Sequence, residues 1–323
     1  MAKKKESGFS AELKSAIEAL NKSYGEGTII GIEDAPNTVN EYISTGSYLL
    51  DEALGGGYVK GKIFEIFGEE SIGKSTLALH FMTQFKGKPI LYIDTEQSLD
   101  KDYAKRLGVD LPNMSSTQPD TIEQAITIML DLCDKVDAIV FDSVAEAATS
   151  KELEGEISDQ DIGVKAKLMS KAIRKLKGKN HDSTIIFINQ TRENPGITYG
   201  SNRVTPAGRA LKFGSHARID LYGKELIKKG EDPIGHYMNI KIVKNKSGKP
   251  HIKVQVPLIF DGYGINKEQE IIDLAIEKGV LTKSGSWIKH GDTNIAQGIE
   301  NTRTFLFDNP EFKEELLKEI KAI

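Results

Sequence analysis

Apolar residues recur at helical spacing over residues 9–23: Leu13, Ile17 and Leu20 form one stripe, Ser10 stands at the N-cap position, and Gly25 and Gly27 end the run. A helix this isolated needs a surface to pack on, either its own core or a neighbouring subunit. Further along, the period changes. IFEIF (63–67), PILYID (89–94), AIVFD (138–142) and STIIFIN (183–189) are short apolar runs. Helical patterns alternate with them: STLALHFMTQF, then residues near 100–107, 121–134 and 165–178. Strands alternating with helices predict an α/β fold with a mainly parallel central sheet covered on both faces. Residues 192–208 break the pattern; they have no apolar periodicity and carry Pro195, Pro206, Gly196, Gly200 and Gly208. A structureless stretch of this length inside a compact domain is usually functional or disordered. HARIDLY (216–222), HYMNIKIV (236–243) and HIKVQV (251–256) alternate in the manner of antiparallel strands extending the sheet. From about residue 265, EQEIIDLAIEKG, TNIAQGIENTRTFL and PEFKEELLKEI predict a small helical C-terminal lobe.

Composition changes this picture little. A chain of 323 residues, 39% hydrophobic and 28% charged, can bury a sizeable core without disulfides. The lone Cys133 sits at apolar spacing with Ile122, Ala125, Ile126, Met129 and Leu130, as a buried helix residue would. The basic start MAKKKESGF is followed by no apolar stretch, so no signal peptide is expected. No run is long and apolar enough to predict a membrane span, and a reducing cytoplasm fits. The net charge is −4, yet residues 163–179 hold Lys165, Lys167, Lys171, Arg174, Lys175, Lys177 and Lys179 with no acid. Such a run is a solvated helix face or a local nucleic-acid footprint.

Candidate chemistry starts at GEESIGKST, residues 68–76, which fits G-x-x-x-x-G-K-[ST] between a strand and a helix. Gly68 and Gly73 let the backbone of Glu69, Glu70, Ser71 and Ile72 wrap an anion against the amides of a helix N-terminus. Lys74 reaches the β- and γ-phosphates of a nucleotide, and the hydroxyl of Ser75, followed by Thr76, holds Mg²⁺. Two acids end neighbouring strands. Asp142 closes AIVFD and is the expected magnesium ligand, direct or through water. Asp94 and Glu96 follow PILYI; either can orient a hydrolytic water, or both can cap the next helix.

EYISTGSYLLDEALGGG, GEESIGKST, YIDTEQSLD, VFDSVA, ELEGEI, FINQTR, ALKF and KIVKNK occur in the order and spacing of the RecA family of DNA recombinases. The resemblance runs from about residue 10 to the end of the chain. It implies a P-loop NTPase core of RecA type that binds ATP and Mg²⁺, assembles as a helical homo-oligomeric filament on single-stranded DNA, and exchanges strands with a homologous duplex while hydrolysing ATP. It implies an N-terminal oligomerisation helix and linker (1–34), an ATPase core with DNA-binding loops (35–264) and a C-terminal lobe (265–323).

Residue by residue, the resemblance makes Glu96 the base that activates water and Gln190 the sensor of the γ-phosphate. Asp100 and Tyr103 lie at the adenine. Lys244 and Lys246 contact ATP held by the neighbouring subunit, on which the N-terminal helix also docks. Two segments face DNA: residues 154–163 with the basic helix, contributing Ile162, Lys167 and Arg174, and residues 192–208, contributing Arg192, Ile197, Arg203 and Gly208 with the adjoining Arg209. Basic side chains there grip phosphates without reading bases, and Ile162 and Ile197 wedge between base triplets. Single-strand-binding or loading proteins are further partners on this reading, and no membrane is.

Three departures stand out. Ala207-Gly208-Arg209 replaces Gly-Gly-Asn, FDGYGI (260–265) replaces Tyr-Gly-Glu-Gly-Ile, and the chain stops at KEIKAI where bacterial members commonly carry an acidic tail. They are those expected of a divergent, phage-encoded member. A ring helicase is disfavoured by KNK (244–246) and the docking helix, and a filament using ATP only as a structural switch is disfavoured by the set Lys74, Glu96 and Asp142.

Overall fold

The computed structural model describes residues 9–31, 40–155, 163–179, 182–193, 203–206, 208–260 and 262–323. Contacts divide the chain into two units, Met1–Asn40 and Glu41–Ile323. In the first, helix α1 (Ala11–Tyr24) begins where Ser10 Oγ accepts from Leu13 N at 3.3 Å. Asn21 holds the following turn by bonds to Ile29 N (2.7 Å) and Ile29 O (2.9 Å). No residue of α1 is buried, and its apolar stripe keeps Leu13 and Leu20 exposed.

The second unit is built on a nine-stranded sheet. Its strands are β1 (Ile63–Gly68), β2 (Ile90–Asp94), β3 (Met114–Thr117), β4 (Ala138–Asp142), β5 (Thr184–Gln190), β6 (Ala217–Lys229), β7 (Asp232–Asn245), β8 (Lys253–Ile259) and β9 (Gly264–Ile265), in the spatial order β9-β8-β7-β6-β1-β5-β4-β2-β3. From β6 to β3 the pairs are parallel; β6 to β9 pair antiparallel. The strands expected from the apolar runs are all present. Their runs are continuous because both faces are covered. Phe64 and Ile66 of β1 enter one core with Leu77 and Phe81, and Ile63 enters another with Phe141, Phe187 and Met169. The helices that supply these layers are α2 (Tyr48–Leu54), α3 (Lys74–Met82), α4 (Lys101–Leu107), α5 (Ile122–Leu132) and α6 (Val164–Gly178).

The C-terminal lobe has helices α7 (Lys267–Glu277), α8 (Gly298–Asp308) and α9 (Pro310–Ala322), and also a three-stranded antiparallel sheet of Leu281–Ser284, Trp287–His290 and Thr293–Gln297. TNIAQ, expected as the start of a helix, is the last of these strands. The positive φ of Gly285, Gly291 and Gly298 (61°, 56° and 80°) sets the two turns and the strand-to-helix break. The lobe is tied to the core by Glu270 of α7, a fully buried side chain that accepts from Ser47 Oγ and, at 3.0 Å, from Tyr48 N at the start of α2. Burial pushes its carboxyl up to about 8.

Candidate active site at the phosphate loop

β1 leaves the sheet between two parallel neighbours, with Gly68 opposite Leu221 of β6 and Gln190 of β5. A Cβ at Gly68 would lie 2.3 Å from the Leu221 carbonyl oxygen, so only glycine lets the chain turn out here. Gly73 has φ +106° at the N-cap of α3, and the amides of the first helical turn open towards the loop. Gly73, Lys74, Ser75, Thr76, Glu96 and Gln190 help line a cavity of about 360 Å³. Glu69 and Glu70 are exposed, and Glu70 lines the same cavity. Ile72 is 2% exposed and packs into the core, so it serves the loop through its backbone only.

Lys74 is buried, and its Nζ donates to Glu69 O at 2.6 Å; burial holds its pKa below that of an ordinary lysine. Ser75 Oγ donates to Asp142 Oδ2 at 2.6 Å, and Tyr92 OH donates to the same oxygen at 2.7 Å. Asp142 Oδ1 is buried with no hydrogen-bond partner among the described residues. Burial raises Asp142 to about 6.

The two acids after β2 separate. Asp94 is buried and folds back on its own loop, accepting from Ser98 N (3.2 Å) and Leu99 N (3.1 Å). Glu96 opens to the cavity, and its Oε1 accepts from Gln190 Nε2 at 3.0 Å. Asp100 caps α4, accepting from Asp102 N and Tyr103 N (2.8 and 3.0 Å). Tyr103 OH meets Thr76 Oγ1 at 3.1 Å, which brings that ring beside α3. Arg106 lies 5.8 Å from the ring centre.

Lys244 and Lys246 are elsewhere. Lys244 pairs with Arg218, and Arg218 pairs with Glu65, whereas the phosphate loop leaves β1 beyond Gly68. The lysines therefore sit towards the opposite end of the sheet. Lys244 Nζ donates to Lys212 O (2.9 Å) and Phe213 O (3.1 Å), the carbonyl end of a short helix, Ala210–Gly214. Burial first, then Lys246 and Lys177, holds it down to about 8. Lys246 lines a separate basic cavity with Lys62, Lys177 and His216.

On the candidate DNA face, Lys167 and Arg174 are exposed on α6, and Arg192 is exposed in a two-residue strand that pairs with Arg203–Val204. Gly208 lies against the start of α6; a Cβ there would stand 2.8 Å from Ala166 Cβ. The exposed Arg209 is thereby brought to the same end of α6 as Lys167. Ile162 and Ile197 lie outside the described residues. Sequence reasoning missed Tyr92 and the buried set Glu65, Asn189 and Arg218. An ionisable residue inside an apolar strand run, as in IFEIF, is the signal that marks Glu65.

A doubly covered, mainly parallel sheet with a glycine-bounded loop before a helix, a lysine and a hydroxyl in that helix's first turn, and a strand-end aspartate bonded to the hydroxyl defines a P-loop nucleoside triphosphatase. The match to known proteins is closer than that class. The RecA N-terminal domain model covers residues 11–266 and the RecA C-terminal domain model residues 269–323. Protein RecA of Latilactobacillus sakei is 42% identical over 319 residues, which is 97% of this chain and 90% of the relative. Protein RecA of Rubrobacter xylanophilus is 42% identical, over 96% of this chain and 92% of its own. The crystal structure of the RadB recombinase shares the fold, with a TM-score of 0.53 at 22% identity over 69% of this chain and 98% of that one. The chain belongs to the RecA family. Its function is ATP-dependent homologous recombination on DNA filaments, with DNA-dependent ATP hydrolysis. Among the described residues no helix is long and apolar enough to cross a membrane.

Proposed function

We propose that ATP is hydrolysed in the Gly68–Thr76 cavity by Glu96, and that Gln190 reports the state of the γ-phosphate to the DNA-binding segments. The contact that carries this reading is Gln190 Nε2 to Glu96 Oε1, which joins the candidate sensor to the candidate base. Lys74 binds the β- and γ-phosphates, the loop amides hold the phosphate oxygens, and Glu96 takes the proton of the attacking water. The donors fit a magnesium ion: a Ser75 hydroxyl beside an Asp142 oxygen that no other described group engages. Held there by Ser75 and Asp142, such an ion would supply positive charge against the phosphates. Tyr103 flanks the adenine, with Asp100 at its cap.

DNA lies against Lys167, Arg174, Arg192, Arg203, Gly208 and Arg209, with Ile162 and Ile197 as wedges, and is gripped by its phosphates. Residues 1–34 form the oligomerisation arm, 35–264 the motor and 265–323 the C-terminal lobe. Because Lys244 and Lys246 sit away from their own phosphate loop, they serve the nucleotide of the adjoining protomer. Loading and single-strand-binding proteins are the expected accessory partners.

Glu96→Gln tests the central assignment. The variant keeps the shape of the side chain and loses the base. It should bind ATP and DNA normally while steady-state hydrolysis drops about 10²-fold or more. Turnover near the wild-type rate in a filament-forming Glu96→Gln protein would remove Glu96 from the chemistry.

A further inference from the structure

β1 is apolar except for Glu65, whose side chain is completely buried. A buried carboxylate is costly unless paired and hydrogen-bonded. Glu65 Oε2 accepts from Arg218 Nε at 2.5 Å, and Oε1 accepts from Asn189 Nδ2 at 3.1 Å. The Arg218 guanidinium also lies 4.4 Å from the centre of the Phe67 ring. These side chains share one face of the sheet. Arg218 stands opposite Glu65 in register, Asn189 is two places along on β5, and Lys244 stands opposite Arg218 on β7. A polar stripe thus crosses four adjacent strands.

Both ends of the stripe reach working parts. At one end Asn189 Oδ1 accepts from Gln190 N at 3.1 Å, and Gln190 in turn holds Glu96. The same Asn189 Nδ2 donates to Pro206 O at 3.3 Å, on the C-terminal side of the candidate DNA segment. At the other end Lys244 holds Lys212 O and Phe213 O in the short helix that follows. The connection between the DNA segment and β6 is therefore gripped twice by residues of one network. A buried ion pair is a weak source of stability compared with apolar packing, so stability alone does not account for this set.

We propose that Glu65 is a positioning residue whose pairing with Arg218 and Asn189 transmits the nucleotide-dependent state of Gln190 to the DNA segment and to Lys244. The inference rests on the reading of Gln190 given above. Coupling of this kind is reciprocal: DNA raises ATP turnover, and ATP raises DNA affinity, through the same contacts. Contiguity by itself does not prove coupling, so both directions are measured.

Two variants carry the test. Glu65→Gln removes the charge and leaves Arg218 without its counter-charge. Glu65→Gln/Arg218→Met removes both charges at similar volume and keeps the protein folded if the single change does not. In the pair variant the melting temperature, ATP affinity and DNA-independent ATPase should stay near wild type. Stimulation of ATPase by single-stranded DNA should fall about tenfold, and so should the ratio of DNA affinities with ATP and with ADP. The loss should appear in the DNA-activated kcat, with the KM for ATP little changed. Full stimulation and a wild-type affinity ratio in the folded pair variant would overturn the inference. Gln190→Ala, run in parallel, separates it from its premise: lost stimulation there with full stimulation in the pair variant sinks the relay alone, whereas full stimulation in Gln190→Ala sinks the sensor reading.

Discussion

Single residues show what a motif can and cannot specify. The phosphate loop was legible because its chemistry demands fixed residue types at fixed spacing. The strand pattern left the choice between Asp94 and Glu96 open, since both stand at the end of the same strand, and only the family resemblance favoured Glu96; in the fold, the backbone amides of Ser98 and Leu99 turn back on Asp94 and leave Glu96 to the cavity. Glu65 and Arg218 lie 153 positions apart and belong to no local pattern, so their pairing became readable only in three dimensions. Glu270 is a similar case and makes a pH prediction. Its carboxyl is raised from 4.5 to about 8 in the folded chain, mainly by burial. The folded state then binds the proton more tightly than the unfolded state. The stabilisation is complete below about pH 4.5 and is lost as pH rises through about 8, over a range on the order of a few kcal/mol. In Glu270→Gln the amide oxygen can still accept from Tyr48 N and the NH₂ can donate to Ser47 Oγ. Melting temperatures measured across this window should fall less steeply with pH in the variant than in wild type. Parallel curves would show that Glu270 does not titrate there.

Elements were legible where both faces of the sheet are covered. β1, β2, β4 and β5 are near-continuous apolar runs, and their helices repeat at the expected period. β3 was not foreseen because MSST is a short, half-polar strand at the sheet edge, where little burial is required. The strands of the C-terminal lobe were hidden in the same way, since Thr293–Gln297 has no buried residue. The basic helix α6 was ambiguous from sequence: Met169, Ala172, Ile173 and Leu176 face the core, while Lys167 and Arg174 are exposed. A purely solvated face and a DNA-binding face make different predictions. If α6 and Arg209 contact DNA phosphates, Lys167→Ala and Arg209→Ala should each weaken single-stranded DNA binding. Each should also lower the slope of log affinity against log salt by roughly 0.7–1 unit, with little dependence on sequence. Unchanged slopes in both variants would return α6 to the solvated reading.

At the scale of the whole molecule, the two halves of the candidate catalytic apparatus lie at different ends of one sheet. Glu96, Lys74 and Ser75 line the cavity beyond Gly68, whereas towards the other end Lys244 stands opposite Arg218 and Lys246 N donates to His216 O. Between the Glu65–Arg218 and Gly68–Leu221 pairs the sheet runs on the order of 10 Å at 3.3 Å per residue, and Lys244, opposite Arg218, is held back from the loop by its bonds to Lys212 O and Phe213 O. On the proposed reading, a second protomer whose phosphate loop faces these lysines would complete the site. There the ammonium groups would oppose charge on the transferred phosphoryl group as an arginine finger does, an effect worth about 10³–10⁵ in rate in other NTPases. The arrangement predicts complementation. Lys244→Ala and Glu96→Gln should each be nearly inactive alone on DNA. Mixed, they should form some interfaces that pair an intact Glu96 with an intact Lys244, and ATPase should partly return, rising to a maximum at intermediate ratios. If light scattering shows that the two proteins co-assemble and no activity appears at any ratio, the site is not completed between protomers.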